Sequence, residues 1–200
     1  MTDNWNGPPN LFAAGGSVIY LAAEPTQVAY VVRAVKATKV AIVAYGVASS
    51  AAACQASGAG LAAAGFKVVY THYKVNYPGT TVGTDVQRMK DAGANFVLSC
   101  MDVQSNITMA RAIQQYGLKS TQLWFNGNVQ ATLDQNASLM QGVYFKIQHV
   151  PFAAPQSDYP GLKTYLNAMK KYEPKYAEDE VAIQGWESAS LFAAGVKAAG

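Results

Sequence analysis

Apolar and polar positions fall into blocks along this chain, and the blocks repeat one unit. Val40–Ala44 is a short apolar run rich in β-branched residues; Tyr45-Gly46 breaks it, and a stretch of small residues, Val47–Leu61, follows. Such a run, bounded by a glycine turn, reads as a strand buried on both faces, with a helix after it. Upstream, Pro25-Thr26 opens a helix whose Val28, Val31, Val32 and Val35 make one apolar stripe at i, i+3, i+4 and i+7. Downstream, Val47, Ala51, Cys54, Gly58 and Leu61 share a helical face, which turns Cys54 toward the sheet. Gly65 closes that helix.

The rhythm continues. Phe66–Tyr73 reads as a second strand, followed by a turn-rich loop with Pro78-Gly79. Thr84 or Asp85 caps a helix carrying Val86 and Met89. Asn95–Cys100 is a third strand, with Met101-Asp102 just past its carboxyl end. Ser105 or Asn106 caps the next helix, which carries Ile107, Ala110 and Ile113 on one side. Gln122–Phe125 is a fourth strand, followed by Asn126-Gly127-Asn128 and a short helix, Gln130–Gln135. Val143–Ile147 is a fifth strand. An amphipathic helix with Leu162, Tyr165, Leu166, Met169 and Tyr172 ends before Pro174, and a last helix runs from Val181 to Ala198. Asn10–Ala14 reads as a short strand in an otherwise irregular opening segment.

This alternation predicts an α/β fold: a three-layer, doubly wound parallel sheet with helices on both faces. Ligands of such sheets bind at the carboxyl ends of the strands. The residues meeting there are Tyr45-Gly46, Met101-Asp102 and Asn126–Asn128. An aromatic hydroxyl, a carboxylate and two amides suit recognition of a small polar ligand better than catalysis. Asn and Asp also form turns, so for Asn126 and Asn128 a turn role and a ligand contact stand side by side.

Composition narrows the function classes. The chain is 200 residues long, enough for a full core, and 50% hydrophobic with 14% charged, which argues for a packed fold over disorder. The net charge of +3 comes from singly scattered basic residues apart from Lys170-Lys171, so no nucleic-acid footprint is present. No apolar run approaches a membrane span. The opening MTDNWNGPPN lacks a basic stretch followed by an apolar one and does not read as a signal peptide.

Chemistry-bearing motifs are missing. The turn after the first strand, YGVASSA, lacks the second and third glycines of a dinucleotide cradle, and there is no phosphate loop or G-x-S-x-G elbow. No cofactor is implied, and neither histidine, His72 or His149, stands at metal-ligand spacing with a cysteine. Cys54 and Cys100, taken from composition alone, read as two buried thiols.

The residues together resemble a family. The helix Thr26–Lys36 leading to KVAIVAYG, then GFKVVYTHYKV, GTTVGTDVQRMKDAGANFVLSC, MDVQSNITMARAIQQYGLKSTQLWFNG and VAIQGWESASLFAAGVKAAG are similar, in order and spacing, to the periplasmic-binding-protein superfamily of type I topology. The likeness is nearest to the branch with the leucine/isoleucine/valine-binding proteins of ABC importers, and it spans Asn10 to Gly200.

That resemblance implies two α/β lobes, a hinge, and a ligand in the cleft between them. Only one lobe is present here, and its element order resembles the second, with strand order 2-1-3-4-5. Residues 1–24 would be the crossover from a missing first lobe, and 25–200 the ligand-binding lobe. The implied function is an extracytoplasmic solute-binding protein, lipid-anchored at the cell surface or periplasmic, that delivers a small molecule to a membrane permease and is not an enzyme. A ligand-sensing domain of a receptor or transcription regulator shares the topology and is the alternative.

Carried over residue by residue, the family's contacts fall on Tyr45, on the Asp102-Val103 turn, and on Asn126–Asn128, where amino-acid binders often hold an acidic residue. Gly46 and Met101 flank these positions. The departures at Asp102 and Asn126–Asn128 leave two alternatives: Asp102 replaces the missing carboxylate, or the ligand is an amide, a short acid, a polyol or an aromatic compound. An oxidising location also changes the reading of the cysteines: it implies a Cys54–Cys100 disulfide.

Overall fold

The computed structural model describes residues 26–200, so the short strand expected at Asn10–Ala14 and the 1–24 crossover lie outside the described residues. Five parallel strands form one sheet in the order β2-β1-β3-β4-β5. They are β1 (Lys39–Tyr45), β2 (Lys67–Val75), β3 (Phe96–Cys100), β4 (Thr121–Trp124) and β5 (Val143–Phe145). The expected α/β doubly wound sheet is what the chain forms. Strands β1 and β3 are buried on both faces because helices cover both, and so they read as nearly continuous apolar runs, with buried Ser99 of β3 bonded to Asn106. Edge strand β2 alternates more, and its side chains are mostly half-buried.

The two faces have separate cores. On one, Ala41, Val43, Val97 and Met101 pack against Val82, Val86 and Met89 of α3 (Val82–Asp91) and Met109 and Ile113 of α4 (Val103–Tyr116). On the other, Val40, Ile42, Ala44 and Leu98 pack against Val28, Ala29 and Val32 of α1 (Thr26–Ala34) and Cys54 and Leu61 of α2 (Ala48–Ala63). Trp124 extends the first face toward β5 with Ile107, Ala110 and Met140, near the short helix α5 (Gln130–Gln135). A smaller cluster of Phe152, Leu162, Tyr165 and Ile183 joins α6 (Pro160–Tyr172) to α7 (Glu180–Ala199).

Helix α2 lies close on the sheet because its face is made of small residues. A Cβ at Gly58 would stand 2.9 Å from Ile42 Cδ1 and 3.1 Å from Tyr73 Oη. That approach also brings Cys54 to Cys100, and the two form a disulfide with Cα atoms 6.0 Å apart. The pairing implied by the family resemblance is therefore present, and the composition-only reading of two thiols is corrected.

Three local expectations change. The strand expected to stop at Ala44 runs through Tyr45, which pairs with Val75 of β2. Val47 is exposed and only precedes α2, so the buried face is Cys54, Ser57, Gly58, Gly60 and Leu61. The caps move upstream: α3 starts after Thr81 and α4 after Asp102. Asp85, Ser105 and Asn106 instead lie inside the first turns with buried side chains bonded to other elements.

Candidate functional site

The carboxyl ends of β1, β3 and β4 carry three turns, and each turn is bonded to a neighbour. Tyr45 closes β1. Its N–H donates to Ser50 Oγ at 2.9 Å, and Ser50 Oγ donates to the Cys100 carbonyl at 2.6 Å. The start of α2 is thus tied to the ends of both β1 and β3. Gly46 N–H donates to the Val75 carbonyl at 3.1 Å, holding the turn to β2.

Asp102 and Tyr45 are brought together. Asp102 caps α4, its Oδ1 accepting from the N–H groups of Gln104 at 2.8 Å and Ser105 at 3.1 Å. Its Oδ2 accepts from the Tyr45 hydroxyl. Ser105 Oγ lies 2.5 Å from Tyr45 Oη and donates to the Pro78 carbonyl at 2.5 Å, which joins the loop after β2 to the same network. Burial works to raise the Asp102 carboxyl, but the bonds from Tyr45, Ser105 and Gln104 outweigh it and hold the group below its ordinary value. Burial first, then the Asp102 carboxylate, pushes the Tyr45 hydroxyl up to about 12. Both Asp102 oxygens and the Tyr45 hydroxyl are therefore engaged within the chain.

Met101 faces the core with its side chain, and its carbonyl accepts from Asn106 Nδ2 and Asn126 Nδ2, each at 3.2 Å. The β4 turn is held from the other end of the chain. Glu180 Oε2 accepts from the Gly127 N–H at 3.2 Å and the Asn128 N–H at 2.9 Å. Val129 forms an antiparallel bridge with Asp179, and Gln130 N–H donates to the Glu178 carbonyl at 3.0 Å. Gly127 has φ +140°, and a Cβ there would stand 2.7 Å from the Phe145 ring, so this turn needs a glycine. The Asn128 side-chain amide sits 3.4 Å from His149 Nε2.

A cavity of about 320 Å³ opens at this edge on the α2 side, where Ser50, Cys100, Asn126, Gln148, Glu180 and Gln184 border it. Of the six residues expected to face ligand, Asn126 lines this space; Tyr45, Gly46, Met101, Asp102 and Asn128 stand behind or beside it, in the bonded turns. A second cavity of about 440 Å³ lies between α1 and strands β4 and β5 and is mostly apolar, with Val28, Val31, Leu123 and Phe145 in its wall. Away from the edge, buried Asp85 accepts from the Tyr70 hydroxyl at 2.5 Å and lies 2.7 Å from His72 Nδ1. Among the described residues, no group of three or more His, Cys, Asp or Glu stands together to hold a metal.

Sequence pattern alone does not pick out Glu180, Ser50 or Gln148, and it marks Ser105 only as a helix-cap candidate. Asp179-Glu180 ahead of an apolar stretch does mark a helix start. Nothing in that mark points to a turn 52 residues upstream.

With this geometry in place, comparison with known proteins assigns the family. The model of the periplasmic binding protein family matches residues 2–200, and the chain belongs to that family. No curated protein sequence matches the chain. Among solved structures, one provisionally named a branched-chain amino acid ABC transporter, from Rhodospirillum rubrum, superposes with TM-score 0.74 at 17% identity, covering 100% of this chain and 56% of that one. A branched-chain amino acid ABC transporter from Thermus thermophilus with bound valine gives TM-score 0.68 at 17% identity, covering 86% and 45%. A solute-binding protein of an ABC transporter from R. palustris, in complex with 4-hydroxybenzoate, gives 0.66 at 18% identity, covering 87% and 49%. At these identities the likeness is one of fold, and the chain spans about half the length of these proteins.

Proposed function

We propose that this chain is the second lobe of an extracytoplasmic solute-binding protein of an ABC importer. In this reading the carboxyl edge of the sheet is one wall of a cleft that closes on a small polar ligand. A permease in the membrane receives the ligand, and no bond is made or broken. The observation that carries the reading is the polar cavity at the carboxyl edge of a parallel sheet, in a chain of the periplasmic binding protein family. No helix among the described residues is long and apolar enough to cross a membrane, so the permease is a separate partner in this reading. The six residues Tyr45, Gly46, Met101, Asp102, Asn126 and Asn128 divide into two roles. Asn126 meets ligand, while Tyr45 and Asp102 brace the turns that present it.

The ligand class follows from a thermal-shift screen of the natural protein with L-valine, 4-hydroxybenzoate, butyramide, short carboxylates and sugars. A ligand at 100 times its Kd adds about 2.7 kcal/mol, which in a protein of this size or larger raises Tm by several degrees. A selective rise with one chemical class is the expected result. A flat response across the panel, or consumption of a compound that does bind, would overturn the reading.

A further inference from the structure

Resting on that reading of a ligand-binding lobe, we infer that Glu180 is the residue of this cavity that receives a ligand's protonated amine. The residue is buried, with 8% of its surface exposed, yet it borders the 320 Å³ cavity. Oε2 is fixed by the N–H groups of Gly127 and Asn128, and among the described residues no donor is bonded to Oε1. A carboxylate held by one oxygen, at the first position of a 20-residue helix, keeps its charge in place without needing the second oxygen. That second oxygen is the acceptor left for the cavity's occupant.

The neighbours agree with this chemistry. Asn126 is fixed by one N–H of its amide, given to the Met101 carbonyl, and its side-chain oxygen is an acceptor for the same occupant. Phe125, Val181 and Ala53 give the rest of the cavity an apolar wall suited to a short carbon body. Lys146 also borders the space, with its ammonium 4.9 Å from the Phe125 ring centroid, so a ligand that carries a carboxylate beside its amine has a cation in the same cavity for the opposite end. Asp102, the substitute carboxylate expected from sequence, has both oxygens engaged by Tyr45, Gln104 and Ser105. Asn126 and Asn128 carry no charge. Glu180 is thus the carboxylate of this edge with an oxygen to offer.

The test compares 4-aminobutyrate with butyrate, which differ in the amine alone, in ¹⁵N-edited NMR titrations of the 200-residue chain. The amides of Gly127 and Asn128 are direct reporters, because both donate to Glu180. 4-Aminobutyrate is expected to move them saturably, and butyrate is not. Glu180→Gln keeps the acceptor for both amides and removes the charge; it should weaken the 4-aminobutyrate response at least tenfold. Ala53→Leu, which narrows the cavity from the α2 side and leaves Glu180 untouched, should weaken it as well. Equal shifts from butyrate, or an unchanged response in both variants, would overturn the inference. Should the natural protein bind another compound with the same affinity in Glu180→Gln as in wild type, the amine site falls and the solute-binding reading stands. Should 4-aminobutyrate move the reporters while no compound of the screen binds the natural protein, the reverse holds.

Discussion

Tyr45 shows how one hydroxyl can set the geometry of an edge. Its bond to Asp102 joins the end of β1 to the cap of α4, and Ser105 carries the link on to Pro78. Tyr45→Phe deletes the donor and leaves a carboxylate capped by backbone N–H groups and Ser105 alone. Removing one partner of a buried, charged hydrogen bond costs about 1–3 kcal/mol, so urea unfolding should show that loss; an unchanged midpoint would refute the role. The pH dependence has a defined sign. Asp102 is lowered in the fold, so its contribution is present above the ordinary carboxylate range and fades as pH falls through the lowered value. Tyr45 is raised, to about 12, so its contribution is present below the usual 10 and is lost as pH rises toward 12. Tyr45→Phe should therefore flatten part of the alkaline loss seen in wild type. Tyr70 and Tyr165, both also raised to about 12 chiefly by burial, and Tyr73, raised by burial, keep the remainder.

At the scale of elements, α2 and its disulfide are the most exacting piece of packing. Gly58→Ala puts a methyl 2.9 Å from Ile42 Cδ1 and 3.1 Å from Tyr73 Oη, the ends of two side chains that must turn aside while the backbone of β1 stays in place. Overpacking relieved in this way falls at the low end of about 1–3 kcal/mol, read as a slightly lower Tm. The Cys54–Cys100 bridge closes a loop of sequence separation 46. Chain-entropy arguments put such a loop at about 4 kcal/mol, so a Cys54→Ala/Cys100→Ala double variant should lose most of that in denaturant titration, and a loss below about 1 kcal/mol would show that the bridge constrains little.

What was readable in the sequence follows from the same packing. Runs such as Val40–Ala44 and Phe96–Cys100 are legible because a strand covered on both faces has no polar side to confuse the pattern. The caps were less legible. In the sequence Asp102 reads as a strand-end residue facing ligand or forming a turn, and Ser105 or Asn106 reads as the cap. All three types cap helices, and only the tertiary partners of Ser105 and Asn106 exclude them. Glu180 was not legible at all, since its partners belong to another element and a helix-start carboxylate looks the same with or without them.

For the whole molecule, on the proposed solute-binding reading, the decisive quantity is how much affinity this chain carries without a second lobe. The cavity that Asn126, Gln148 and Glu180 border opens at the edge of the sheet, although Glu180 itself is buried. A ligand seated there keeps one side hydrated and its polar contacts screened. A second lobe closing over it would exclude that water, strengthen the Glu180 contact and add a facing wall. On that reading, calorimetry should find the 200-residue chain at least about 100-fold weaker than the same chain joined to its proposed second lobe, a difference of about 2.7 kcal/mol. The Glu180→Gln penalty should also be smaller in the single lobe, because the charge it removes is better solvated there. Equal, tight binding by both forms would place the entire site within these residues and remove the need for closure. Weak binding by the lobe, with a larger Glu180→Gln penalty in the natural protein, ties the carboxylate at the start of α7 to the closed state itself.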